Sequence, residues 1–188
     1  MKKFVFVLVI IVIAAGAAAQ DPGRLSKKEQ RKLIREENAR IEKEEMARFA
    51  LLVDNMVKSA TFVLEADMLF DRYGQSTPVQ STINFLMVDS VYGVIQVGSP
   101  YYLGRNGVGG VTLEGPVTRY EQSKNEKRST YSVQYDLRSS FGSYNVSISI
   151  APSGRAEARV SGNFSGSLRY SGRLVHPSAS RVYKGSSY

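Results

Sequence analysis

The sequence predicts an α+β fold that is mostly antiparallel β: a strongly curved sheet or small barrel of about eight strands with one long N-terminal helix packed on it. Three observations carry that expectation. A stretch free of glycine and proline, rich in strong helix formers, runs from Ser26 to about Lys58. The apolar period then switches to two, and turn residues punctuate the remainder at short, even intervals. No strand–helix alternation supports a parallel sheet, and no internal repeat is convincing.

The expected parts are residues 1–19 as a signal peptide, 20–58 as linker and helix, 59–175 as the β domain and 176–188 as a C-terminal tail. Lys2 and Lys3 supply the positive start of a leader, Phe4 to Ala15 its apolar run, and Gly16-Ala17-Ala18-Ala19 its small-residue end. Cleavage is expected between Ala19 and Gln20. Phe4 to Ala19 is 16 residues long, whereas a helix needs roughly 20 apolar residues to cross the hydrocarbon. The expectation is therefore an exported protein, periplasmic or secreted, that is not integral to a membrane once cleaved.

Cysteine is absent throughout. That excludes a disulfide framework, the lipid-modified cysteine of a lipoprotein, thiol catalysis and thiolate metal sites. The formal charge of +8 includes Lys2 and Lys3 of the leader. The rest suits an anionic glycan or envelope surface as partner, or serves solubility alone. No nucleic acid is expected.

Asp21-Pro22-Gly23 reads as a linker, and Ser26-Lys27-Lys28-Glu29 has the capping-box form. The helix that follows has two characters. Its first half is charged, with opposite charges one turn apart at most steps along Lys28, Lys32, Glu36, Arg40, Glu44 and Arg48. Its second half presents Met46, Phe49, Leu52, Val53 and Met56 as a face to be buried. The C-terminal half is expected to dock while the charged half projects or lies along the surface; a tethering or coiled-coil arm is the alternative.

Thr61 to Leu69 puts Phe62, Leu64, Ala66 and Met68 on one face. Thr82–Val88 and Val91–Val97 flank Asp89-Ser90 as a hairpin, and Gly115-Pro116 interrupts Val111–Glu114 and Val117–Gln122 with a bend or bulge. The last four strands face Tyr131, Val133, Tyr135 and Leu137, then Tyr144, Val146, Ile148 and Ile150, inward; Ala156, Ala158 and Val160, then Leu168, Tyr170, Gly172 and Leu174, follow. Gly142 is the expected place of a bulge, and Pro152-Ser153-Gly154 of a three-residue loop with glycine in the left-handed region.

The chain resembles a family of small exported proteins of the Bacteroidetes, domain of unknown function 4251. The resemblance rests on Lys58-Ser59-Ala60-Thr61-Phe62, on Gly98-Ser99-Pro100-Tyr101-Tyr102-Leu103-Gly104 and on Gly110-Val111-Thr112-Leu113-Glu114-Gly115. Ser153-Gly154-Arg155-Ala156 and Tyr170-Ser171-Gly172-Arg173-Leu174 complete it, over roughly Met46 to Val175. It implies export and a β-rich fold, and carries over no functional residue.

No catalytic, cofactor or metal constellation stands out. His176 is the sole histidine and reads as a loop residue. Glu65 and Asp67, with Asp71 beyond, are the carboxylates a hydrolase would use, and equally a solvated strand face. Gly104 to Gly110 is glycine-rich without the flanking strand and helix of a phosphate cradle, and reads as a mobile loop. If Val160 pairs with Leu168, Arg159 lies opposite Arg169 and Arg155 opposite Arg173, an unfavourable pairing unless an anion, the helix glutamates Glu37, Glu42 and Glu45, or solvent and Glu157 compensate. Tyr131, Tyr135, Tyr144 and Tyr170 either line a ligand cavity or fill the core. Asp89-Ser90-Val91 matches a short O-glycosylation pattern at Ser90. The expected function is a non-enzymatic exported module that binds a ligand, glycan or partner; a carboxylate-based hydrolase, or a structural protein acting through its helix, is the alternative.

Overall fold

A computed structural model describes residues 26–101, 104, 106–162 and 167–187. The expected leader, its Ala19–Gln20 cleavage point and the Asp21–Gly23 linker lie outside the described residues, as do Tyr102 and Leu103. Helix α1 (Lys27–Lys58) opens on the capping box. The Ser26 N–H donates to Glu29 Oε2 at 2.8 Å, and the Glu29 N–H returns to Ser26 Oγ at 3.3 Å. Residues up to Arg40 form a unit of their own, exposed throughout its described part. Lys32–Glu36 and Glu37–Arg40 pair along its surface.

From Ile41 the chain belongs to the larger unit. Here α1 buries Val53, Met56 and Val57 and half-buries Phe49, while Met46 and Leu52 are 45% and 51% exposed. The buried stripe is turned by about one residue from the expected face. The reason is a tight exit: Lys58 leads within two residues into β1 (Thr61–Phe70), with Ala60 at φ 50°, so Val57 must enter the core.

The strands are β1, β2 (Ser76–Pro78), β3 (Phe85–Asp89), β4 (Tyr92–Val97), β5 (Val111–Asn125), β6 (Thr130–Ser139), β7 (Gly142–Ile150), β8 (Arg155–Gly162) and β9 (Ser167–Val175). All pairings are antiparallel. From β3 to β9 each strand pairs with the next, β1 pairs with β3, and β9 returns to β1, closing an eight-stranded barrel. Strand β2 is an extra strand on the far half of β1. The inward sets of β6 to β8 are buried as the alternation requires, and on β9 Tyr170 and Leu174 are fully buried.

Three local expectations change. Met68 leaves the inner face, because a bulge between Ala66 and Met68 shifts the β1–β9 register and brings Leu69 inward instead. No bulge is needed at Gly142: Ser139 pairs with Gly142 around the two-residue loop Ser140-Phe141, and such a loop places the odd-numbered Leu137 opposite the even-numbered Tyr144. Gly115-Pro116 does not break its strand. Strand β5 is continuous, its bulge lies between Val117 and Arg119, and Gly115 admits a close approach of β6, since a Cβ would come 2.1 Å from the Arg138 carbonyl oxygen.

The residues after Val175 are built into the fold. A short 3-10 turn, Pro177–Ala179, is capped by His176, and the chain then runs back over the outside of β1, β3 and β4. There Val175 and Val182 cover Val63, Phe85 and Val94, a second cluster outside the barrel. Glu65 Oε1 accepts from Ser180 Oγ at 2.7 Å and from the Arg181 N–H at 3.2 Å. A buried polar network fastens the end. Gln96 donates to the Tyr183 carbonyl at 2.9 Å and accepts from the Gly185 N–H at 2.8 Å; Thr112 donates to Gln96, and Asn106 to Thr112. Asn106 Oδ1 also takes the N–H groups of Val108 and Gly110 at 3.1 and 2.9 Å, so residues 106–110 are tied down rather than free.

Candidate functional site

The barrel has two unlike ends. At the end where β1 starts, α1 is seated by two tyrosine hydroxyls: Tyr120 donates to the Val57 carbonyl at 2.7 Å, and Tyr131 donates to the Asp54 carboxylate. Lys58 and Lys124 reach the same carboxylate at 2.6 and 3.4 Å, and the hydrogen bond from Lys58 is the main cause holding Asp54 below its usual range.

The opposite end opens into a cavity of about 680 Å³. Its walls come from inward positions of five strands: Ile95 and Val97 of β4, Val111 and Leu113 of β5, Tyr144 of β7, Val160 of β8, Leu168 and Tyr170 of β9. Phe141, in the β6–β7 loop, stands at the rim and is 55% exposed. The lining is apolar apart from Ser99, backbone groups and the two phenols. A second hollow of about 550 Å³ adjoins it and shares Val97, Gly98, Ser99 and Leu168.

All four tyrosines singled out from the sequence lie on the inner face, but their positions differ. Tyr144 and Tyr170 line the cavity; the Tyr170 hydroxyl donates to the Gln96 carbonyl at 3.4 Å. Tyr131 serves the helix end. Tyr135 is fully buried, and its hydroxyl has no hydrogen-bond partner among the described residues. Burial pushes the phenols of Tyr120, Tyr135 and Tyr170 far above their ordinary pKa, so none is a base at neutral pH. The aliphatic wall was invisible as a site in the sequence, because its members look like ordinary core positions.

The arginine register is as the sequence requires: Arg155 pairs across with Arg173, Arg159 with Arg169, and Val160 with Leu168. All four arginines are exposed. Compensation comes from β1 on the closing side. Arg155 Nη1 bonds Asp67 Oδ2 at 2.8 Å, Arg173 lies opposite Glu65, and the Arg169 guanidinium stands 4.3 Å from the centre of the Phe70 ring. Arg159 has Ser147 and Arg169 as its cross-strand neighbours. Glu37 instead pairs along its own helix. Glu65 and Asp67 are thus engaged on the outer face, away from the cavity, and Asp71 accepts the Tyr73 and Gln75 N–H groups in a turn.

Ser90 is exposed at the first position of the two-residue β3–β4 loop, with φ 54°. Its N–H donates to the Ala60 carbonyl at 2.8 Å. His176 Nδ1 accepts the Ser178 N–H at 3.3 Å, a capping role. Among the described residues, no three of His, Asp and Glu converge as metal ligands, and no helix is long and apolar enough to cross a membrane.

No curated protein matches this chain. A crystal structure of a DUF4251 family protein from Bacteroides eggerthii DSM 20697, at 1.95 Å resolution, is similar: 28% identity, TM-score 0.60, covering 76% of this chain and 95% of that one. The family model described as domain of unknown function (DUF4251) matches residues 43–174, which take in the second half of α1 and every strand of the barrel. The barrel, the helix that seats its first strand and the open apolar end are therefore features of a chain that belongs to the DUF4251 family.

Proposed function

We propose that the mature chain is an exported, non-enzymatic barrel that binds a small apolar ligand in its open end. One observation carries this reading: the cavity of about 680 Å³ with predominantly aliphatic and aromatic walls. Small-ligand sites commonly occupy about 300–1,000 Å³ and combine apolar walls with a few polar groups. Its walls are rigid strands, so the space costs little to organise for a guest. The leader-like first 19 residues support export. The carboxylates a hydrolase would need are committed to Arg155, Ser180 and backbone groups outside the barrel.

The test is native mass spectrometry of the full chain purified from an exporting host, followed by extraction of bound small molecules. A stoichiometric apolar compound is expected, displaced in the rim variant Val111→Trp. An empty protein that also fails to take up an apolar fluorophore overturns the reading. A second reading concerns the outer face, where Arg159 and Arg169 meet without a carboxylate directly opposite either. There an anionic glycan or envelope surface supplies the countercharge.

A further inference from the structure

We infer that the ligand is a single-chain amphiphile with an uncharged, hydroxyl-rich head, its chain in the barrel and its head in the adjoining hollow; this rests on the ligand-binding reading above. The argument is the contrast between two hollows that share Val97, Gly98, Ser99 and Leu168. The inner one is walled by Ile95, Leu113, Val160 and Tyr170, all less than a tenth exposed. Hydrocarbon placed there is removed from water, which favours binding in proportion to the apolar surface covered. A charged or strongly hydrated group there would lose solvation with little to replace it.

The outer hollow has a different chemistry. It is lined by Gln75, Thr77 and Gln80 beside Asp71, Ser99 and Tyr101. The Gln75 and Gln80 amides and the Thr77 hydroxyl are exposed and make no hydrogen bond to other described residues. They offer both donors and acceptors. No lysine or arginine lines this hollow among the described residues, whereas Asp71 does. Among the described residues, a carboxylate or phosphate head would therefore meet a like charge and no cation. A cationic head would meet one carboxylate, whose Oδ1 already accepts two backbone N–H groups. A polyol head suits alternating amides and hydroxyls, and its C–H face suits the ring of Tyr101, which is 92% exposed.

The test is isothermal titration of the full mature chain with three ligands of one acyl length, kept below micelle formation: a monoacylglycerol, the free fatty acid and the alkyltrimethylammonium. The expected result is at least tenfold tighter binding of the monoacylglycerol than of either charged ligand. Val111→Trp should abolish binding of all three, while Gln75→Ala with Thr77→Val should erase the preference. Equal affinities, or a charged ligand binding tightest, overturn the amphiphile assignment and leave the ligand-binding reading standing. Failure of all three ligands, with an apolar compound still extracted from the native protein, also overturns the assignment. Failure of all three with an empty native protein removes both.

Discussion

Phe49 of α1 lies directly over Gly154 in the β7–β8 turn: a Cβ added at Gly154 would come 2.3 Å from Phe49 Cε1. The glycine is also in the left-handed region at φ 76°, which closes the three-residue loop Pro152-Ser153-Gly154. One residue therefore serves both the turn and the seat of the helix.

Gly154→Ala should destabilise the barrel by about 2 kcal/mol, of which about 1 kcal/mol reflects the backbone and the rest the displaced ring. Adding Phe49→Ala should recover only the ring's share, so a double-mutant cycle by urea unfolding separates the two. Additive losses would show that the ring does not press on the turn.

Tyr135→Phe removes the buried hydroxyl that has no partner among the described residues. Taking away an unsatisfied polar group should raise stability by about 1 kcal/mol or leave it unchanged. A melting temperature several degrees lower would mean that the hydroxyl is hydrogen-bonded.

Arg159→Gln with Arg169→Gln should leave stability unchanged or raise it by about 0.5 kcal/mol, since it separates like charges across strands. Arg155→Gln should lose at most about 1 kcal/mol, because its pair with Asp67 is half exposed. If the face holds an anionic surface, retention on a lipopolysaccharide or sulfated-glycan matrix should fall in the double variant and weaken with salt. Unchanged retention and stability would reduce the pair to a solvated strand face.

Glu114 ties down the chain's end. Burial pushes its carboxyl up, but hydrogen bonds from Lys184, Ser187 and Tyr92 outweigh that and hold its pKa below the usual range. A lowered folded pKa stabilises above the unfolded value of about 4.3, and that contribution fades as pH falls through the folded value. Glu114→Gln should therefore lose about 0.5–1 kcal/mol at pH 7, less than a buried pair because Lys184 is about half exposed. The difference from the parent should shrink as pH falls below that unfolded value. A constant difference across that range would place the contact in shape rather than charge.

Deletion of residues 26–45 should leave the barrel folded, whereas deletion through Val57 should expose core and cause aggregation. The buried helix residues, Val53, Met56 and Val57, all follow the shorter cut. An unfolded shorter product, seen by circular dichroism, would contradict this.

The parts legible in the sequence were those with a single periodicity. Strands β6 to β8 alternate strictly because one face meets the core and the other water, so even the Arg159–Arg169 register followed from parity. Phe62-Val63-Leu64 and Phe85-Leu86-Met87-Val88 do not alternate, and that was a signal. Runs apolar on both faces mean cover on both sides, here the barrel core within and Val175 and Val182 outside. The bulge after Ala66 carries no glycine or proline to announce it and comes from the pairing with β9. The cavity was hidden for another reason: Ile95, Leu113 and Val160 have the residue types of a filled core, and only the strand geometry decides whether neighbours reach them.

Closure of the barrel through β1 and β9 joins the strand made first to the strand made last, with Val63 opposite Val175. Synthesis proceeds from the N-terminus, so Phe62, Leu64 and an open hydrogen-bonding edge wait for nearly the whole domain before their final partner exists. Such long-range pairing slows folding and leaves a sticky strand exposed meanwhile. The seam is thus the step at which the newborn chain is most open to capture by another copy, and a truncation that removes β9 leaves β1 as a ready template for aggregation.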